Sequence, residues 1–169
     1  MPTPAYLSVT GAIQKDITNE AGLSKSIGAE SQKGFANKSR IHAFTHEITI
    51  PYNPQSGGST GQHIHHPVCI TKFIDKASPL LLTALTTGEE LTEVLIEWYR
   101  MNNNVLEHYY TTRLNQARVV AIKEYIPNCQ DPKNLQFSHL EDVHFSYKKI
   151  SWHHKLASTD GEDSWDKQQ

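Results

Sequence analysis

Histidine is the residue type whose number and spacing first invite chemistry in this chain. Ten are present, and neutral imidazole is the commonest protein ligand for metals. His63, His65 and His66 form the tightest group, directly after a glycine-rich stretch. On a strand, His63 and His65 would share one face about 6.6 Å apart, which permits shared ligation. No nearby carboxylate completes the set, and surface histidines account for the group without an ion, so no metal is expected. His42 and His46 are four apart on an expected strand, too far to share one ion, and His153 and His154 point to opposite faces.

The other reactive residue types give no constellation either. Cys69 and Cys129 lack the close pairing of a thiolate zinc site and are expected as two reduced thiols. Ser56 to Gly61 lacks the Gly-Lys-Ser/Thr of a phosphate loop, and no nucleophile elbow is present. Glu89–Glu90 and Glu141–Asp142 are adjacent pairs whose side chains face opposite ways on a strand, so solvated charge is expected for both. Trp98, Tyr99, Tyr109, Tyr110 and Tyr125 could line a sugar platform, although their strand spacing suits a core. The expectation is therefore no catalytic residue, no cofactor and no enzyme.

The elements that would position these residues are mostly strands. Period-two alternation dominates, with turn residues between the runs. Short strand signal covers 5–10; 18–39 is rich in Gly, Ser, Lys and Asn and reads mostly as loop, with room for a short strand near Ile27. Over 40–51, His42, Phe44, His46, Ile48 and Ile50 alternate with Ile41, Ala43, Thr45, Glu47 and Thr49. The stretch 52–61 is a loop by composition, and 64–75 resumes as a strand. Together they form a hairpin with arms of about ten residues, or ~33 Å, long enough to project beyond a small barrel. One helix is expected over about 78–87, with Ser78 as N-cap, Pro79 at the first helical position and Gly88 in the left-handed position after its end. Strands follow over 92–100, 106–114 and 117–126. Met101-Asn102-Asn103-Asn104 supplies the first turn, since Asn tolerates positive φ, and Asn115–Gln116 a tight second one. A long last strand over 135–153 changes its apolar face between Tyr147 and Ile150. Seven or eight antiparallel strands with one short helix make an all-β barrel or sandwich.

Composition narrows the classes of function. The chain has 169 residues, 37% hydrophobic and 20% charged, with a net charge of −2 and a mean hydropathy of −0.54. One domain fits that length. Near-neutral charge argues against nucleic-acid binding by phosphate neutralisation. No run reaches the ~20 apolar residues of a membrane helix, and the start Met1-Pro2-Thr3-Pro4-Ala5 has no signal-peptide pattern. Synthesis in the cytoplasm is expected, with any export needing no cleaved signal peptide. Residues 157–169 hold Asp160, Glu162, Asp163 and Asp166 against Lys167 and are expected to be a mobile acidic tail after a domain spanning 1–156.

One long motif run is specific. HPVCITKFIDKASPLLLTALTTGE (66–89), Val94 to Arg100, His108 to Thr112, Tyr125 to Pro132 and His139 to Val143 together resemble Hcp, the haemolysin-coregulated protein of bacterial type VI secretion. The order of strand, Lys72-x-x-Asp75-Lys76, Ser78-Pro79 and leucine helix is the most specific part. The resemblance runs from the start to about Trp152. It implies a small antiparallel β-barrel with one flanking helix and an extended hairpin loop, and a structural rather than catalytic role. It further implies homohexameric rings stacked into an inner tube, driven outward by contractile sheath proteins. Such a tube is tipped by the spike protein VgrG and carries effectors in its lumen. Fewer than twenty residues follow Trp152, too few for an appended toxin domain, so a plain tube subunit is expected.

Position by position, the resemblance places the extended assembly loop at Pro51, Tyr52, Asn53, Pro54, Gln55, Ser56, Gly57, Gly58, Ser59, Thr60 and Gly61, expected to be mobile before assembly. It makes Ala43, Thr45, Glu47 and Thr49 the candidate lumen face, with Phe44, Ile48 and Ile50 inward. Against the tube subunit stand a monomeric β-barrel that binds a sugar or small ligand through the tyrosines, and a metal enzyme around His63, His65 and His66.

Overall fold

The computed structural model describes residues 3–167. Its strands are β1 (Ala5–Gly11), β2 (Lys15–Asp16), β3 (Ser39–Thr45), β4 (Ile48–Thr49), β5 (Ile64–His65), β6 (Val68–Phe73), β7 (Leu91–Asn102), β8 (Val105–Tyr125), β9 (Leu140–Ser146), β10 (Lys149–His154) and β11 (Thr159–Ser164). Two short helices, α1 (Ser24–Ile27) and α2 (Ser78–Thr87), complete the set. The all-β expectation holds, and among the described residues no helix is long and apolar enough to cross a membrane.

Closure of the sheet depends on one strand. The order β8-β7-β1-β3-β6-β9 returns to β8, because β8 pairs with β7 along its first part and with β9 along its second. The ring so formed leaves β10 and β11 as an extension beside the first half of β8. Asn115–Gln116, expected as a turn, lies inside this single 21-residue strand. Gln116 does take the left-handed conformation (φ 48°), but it bends the strand where its partner changes from β10 to β9. The true turn is at Asn103 and Asn104, both at positive φ, as an Asn pair between two strands should be.

The last long strand is likewise two. β9 pairs with β6 and the end of β8, β10 with residues 110–115 of β8, and the break at Tyr147 and Lys148 accounts for the change of face. Val143 and Phe145 point inward before it, Tyr147 within it and Ile150 after it. The expected tail is partly structured too. β11 pairs with β10 along its whole length, from Lys149↔Ser164 to His154↔Thr159, so backbone hydrogen bonding holds a segment that composition alone marked as mobile; residues 168 and 169 lie outside the described residues.

The core is lined by Leu7, Val9, Ile70, Leu81, Val94, Ile96, Leu114, Phe145 and their neighbours, all essentially inaccessible. Helix α2 packs on β8 and ends as expected at Gly88, φ 68°, whose N–H reaches the carbonyls of Ala84 and Leu85. Its start differs. Ser78 is the first helical residue, and its hydroxyl serves a buried ionic cluster instead of capping the helix. Lys72 Nζ lies 2.8 Å from Asp75 Oδ1 and 2.6 Å from Glu141 Oε1, with all three side chains almost fully buried. Asp75 also accepts from Ser39 Oγ and the Ala77 N–H, at 2.6 and 2.9 Å. The Lys72–Asp75–Ser78 motif is thus the joint between β6, β9 and the helix.

Two carboxylates expected in solvent are inside. Glu141 belongs to the cluster above, and Glu89 accepts the backbone N–H groups of Ile13 and Gln14, each at 2.8 Å. Burial alone would raise the Glu89 pKa, yet these donors hold it below the ordinary carboxylate value. A Cβ on Gly11 would come within 2.4 Å of its Oε1, which is why the β1 end carries glycine.

His42 gives a pH prediction. Its ring lies 3.9 Å from that of Phe73, and its Nε2 is buried with no hydrogen-bond partner. Burial first, and then the Arg40 charge, lower its pKa to about 4. The unfolded value is about 6.5, so between these values only the unfolded chain takes up the proton. Stability from this group is therefore full above pH 6.5 and is lost as the pH falls toward 4. The loss should be on the order of 1–2 kcal/mol, after discounting for solvent screening at a half-buried ring. Urea unfolding at pH 7 and pH 4.5, for the native chain and His42→Leu, checks it: the variant should lose less stability on acidification, and equal losses would sink the idea.

Candidate assembly surface

The hairpin between β3 and β6 is where the chain leaves the barrel. A bulge between Ile41 and Ala43 opposite β6 shifts the parity of β3. Ile41 is consequently buried at 6% exposure and Phe44 packs on the core, while Ala43 and Thr45 on either side of Phe44 lie exposed. Glu47 is also exposed and Thr49 half-buried. The expected inward placement of Ile48 and Ile50 is not found: they are 38% and 51% exposed. The regular ladder stops after Thr45, and β4 pairs only with β5 in a separate two-stranded sheet, beyond the reach of the core.

The tip, 51–61, carries its own hydrogen bonds. Tyr52 bridges Ser59, Asn53 N–H donates to Gly58 O at 2.8 Å, and Gly57 N–H to Asn53 O at 2.7 Å. Thr60 N–H donates to Pro51 O at 2.9 Å. Gly57 takes the positive φ this tight turn demands (71°). The tip is a small hairpin exposed along its whole length. With Ile64 at 46% and Tyr52 at 64%, the arm shows solvent four large apolar side chains, Ile48 and Ile50 being the others. Apolar surface concentrated on a projecting element marks an interaction site.

At the base of the arm lies a polar network that local sequence could not disclose. Asp163, on β11, accepts from both His63 Nε2 and His65 Nε2 at its Oδ2, each at 2.6 Å. His65 Nδ1 is 2.6 Å from the Tyr147 hydroxyl, which is 2.8 Å from His46 Nε2. The Trp165 ring sits 5.4 Å from that of His65. Burial, then the Asp163 charge, raises the Tyr147 pKa well above its ordinary value, so the phenol stays neutral. Burial pushes the Asp163 pKa up, but the hydrogen bonds from His65 and His63 outweigh it and hold the carboxyl below its usual range. The carboxylate that seemed missing beside the histidines is thus supplied from about a hundred residues downstream. His66, by contrast, turns away to Thr49 Oγ1 at 3.1 Å.

The aromatic residues weighed as a sugar platform pack on one another and on the barrel. Trp98 stacks edge-on against Phe44 at 4.7 Å and donates its indole N–H to Thr112 Oγ1 at 3.1 Å. Tyr99 meets Tyr6 and His108 at 5.5 and 5.2 Å. Tyr125 donates to Asp142 Oδ1 at 3.2 Å.

Comparison with known proteins gives consistent matches. The profile of the family described as "Type VI secretion system effector, Hcp" matches residues 6–154. A "Major exported protein" of Pseudomonas aeruginosa is 54% identical over 166 residues, covering 98% of this chain and 96% of the relative. A crystal structure described as that of an Hcp protein superposes with a TM-score of 0.93 at 34% identity, covering 97% of this chain and 98% of the other. A second structure, the secreted protein Hcp3 from Pseudomonas aeruginosa, gives 0.82 at 45% identity, over 97% and 99% of the two chains.

Proposed function

We propose a function from one premise: the chain belongs to the Hcp family of the type VI secretion system. On that premise its role is structural, as the repeating subunit of the inner tube. Six copies form a ring, and rings stack through the projecting hairpin. The spike protein VgrG caps the tube, contractile sheath proteins surround it, and effectors travel in its lumen. Ala43, Thr45, Glu47 and Thr49 are assigned to the lumen wall and 51–61 to contact with a neighbouring subunit or ring. The observation that carries this reading is the arm itself. A projecting arm with a self-bonded tip, bearing exposed Ile48, Ile50, Tyr52 and Ile64, has little reason to exist on a solitary barrel, and a second copy of the chain would cover it. Export of the chain with the tube agrees with the name of its Pseudomonas aeruginosa relative.

Native mass and particle shape test the proposal. The purified, untagged protein should sediment as a hexamer and give annular particles by electron microscopy. A strict monomer at high concentration would overturn it.

A further inference from the structure

The His63–His65–Asp163 cluster does more than hold two segments by hydrogen bonds. We propose that it is a binding site for a borderline divalent transition-metal ion of the zinc class, clipping the C-terminal strand to the base of the assembly arm.

The donor set carries this assignment. Two imidazole nitrogens and one carboxylate oxygen, from His63, His65 and Asp163, lie within 4.8 Å of one another. Both Nε2 atoms converge on the same Asp163 oxygen. A tetrahedral zinc ion bonds its ligands at about 2.0–2.2 Å, which sets neighbouring donors about 3.3 Å apart. The 2.6 Å separations therefore need to open by less than 1 Å, which small rotations of the side chains supply. Three protein ligands leave a fourth position for water or another donor, and imidazole with carboxylate suits zinc, cobalt or nickel better than calcium or magnesium.

The surroundings fit as well. A ligating histidine usually fixes its ring by hydrogen-bonding the other nitrogen. His65 does this through Nδ1 to the Tyr147 hydroxyl, itself held by His46. With an ion on Nε2, His65 Nδ1–H donates to the Tyr147 oxygen, and the phenol orients the ring without touching the ion. The site is also graded in access: the His65 side chain is 2% exposed, Asp163 24% and His63 35%. An ion could enter from the His63 side and reach a nearly dry ligand behind it. The strand that delivers Asp163 is the segment composition marked as mobile, and its β10 pairing leaves its other edge open in the sheet order. A metal bond across this junction would fix β11 against the arm without touching the barrel core.

The test uses the untagged full-length protein, stripped with a chelator and titrated with zinc alone and cobalt alone. One ion per chain is expected, with the visible spectrum of four-coordinate cobalt and a rise in Tm that grows with free zinc. His63→Gln, half-exposed and tolerant of change, should remove stoichiometric binding while leaving the fold intact by circular dichroism. Asp163→Asn should do the same, its amide keeping the shape of the carboxylate. Tyr147→Phe should weaken zinc about tenfold or more through the lost orientation of His65. Zinc bound equally by the native chain and by His63→Gln, or no binding to the folded native chain, would overturn the site and leave the cluster as hydrogen bonds alone. Neither result depends on ring formation, so the proposal stands or falls apart from the tube reading.

Discussion

Replacing Lys72 by methionine should destabilise the subunit by about 3–5 kcal/mol, because it leaves two buried carboxylates with no cation. Methionine nearly matches the lysine stem, so the loss is one of charge pairing and not of packing. Lys72 bridges Asp75 and Glu141, and the two acids differ in what they would retain. Asp75 keeps Ser39 Oγ and the Ala77 N–H. Glu141 keeps Ser78 at one oxygen, while its Oε2 has no partner even in the native arrangement. Glu141 should therefore dominate the loss, and Lys72→Met with Glu141→Leu should recover part of it by removing that charge. For a chain of this size the single change corresponds to a fall in Tm of roughly 6–20 °C. Urea unfolding of dilute protein reads the effect free of any contact between copies of the chain. A single variant with the native midpoint would show that the cluster is not what joins the helix to the sheet.

Lys72 and Glu141 also show where the sequence could be read further than residue type suggests. Glu141 shares strand parity with Val143, Phe145 and Tyr147, and Lys72 with Val68 and Ile70, so alternation assigns both to the core side. Charge was the misleading signal, since such residues are almost never buried unless paired. The pair Glu141–Asp142 was rightly split between strand faces, whereas Glu89 and Glu90 lie in the link between α2 and β7, where strand parity does not apply.

The legible features were those decided within a few residues. Gly88 after α2, the Asn103–Asn104 turn and the strand alternation all follow from local backbone preference. Features decided by distant partners were opaque. Gln116 has the backbone of a turn residue, yet β8 continues because β7, β9 and β10 supply its ladders. Asp163 met two histidines because β11 folds back on β10, a pairing with no hydrophobic pattern to announce it. The bulge at His42 shifted the parity of β3 and placed Ile41 inward, while Ile48 and Ile50 were misassigned because the hairpin had already left the core behind.

Shortening the tip from Gln55 to Gly61 should have the opposite profile to Lys72→Met: large in assembly and small in fold. The hydrogen bonds described for 51–61 close within the tip itself, from Asn53 to Gly58 and from Pro51 to Thr60. The tip is exposed throughout, so its loss removes no core contact. Barrel stability should stay within about 1 kcal/mol, as is usual for exposed segments, and the shorter loop slightly lowers the closure entropy. Stacking of rings should weaken at least about tenfold, or ~1.4 kcal/mol, because 55–61 carries hydrogen-bonding side chains and no large apolar one, and each lost hydrogen bond is worth about 0.5–1.5 kcal/mol. Ile50→Ser separates the tip from the apolar arm beneath it: at 51% exposure it should fold normally and still impair assembly. Sedimentation velocity with electron microscopy measures both, and thermal melts of dilute protein report the barrel. Shortened protein that forms stacks like the native chain would dismiss the tip as the assembly device. A collapse of the barrel would instead place the tip within the folding core, against its exposure.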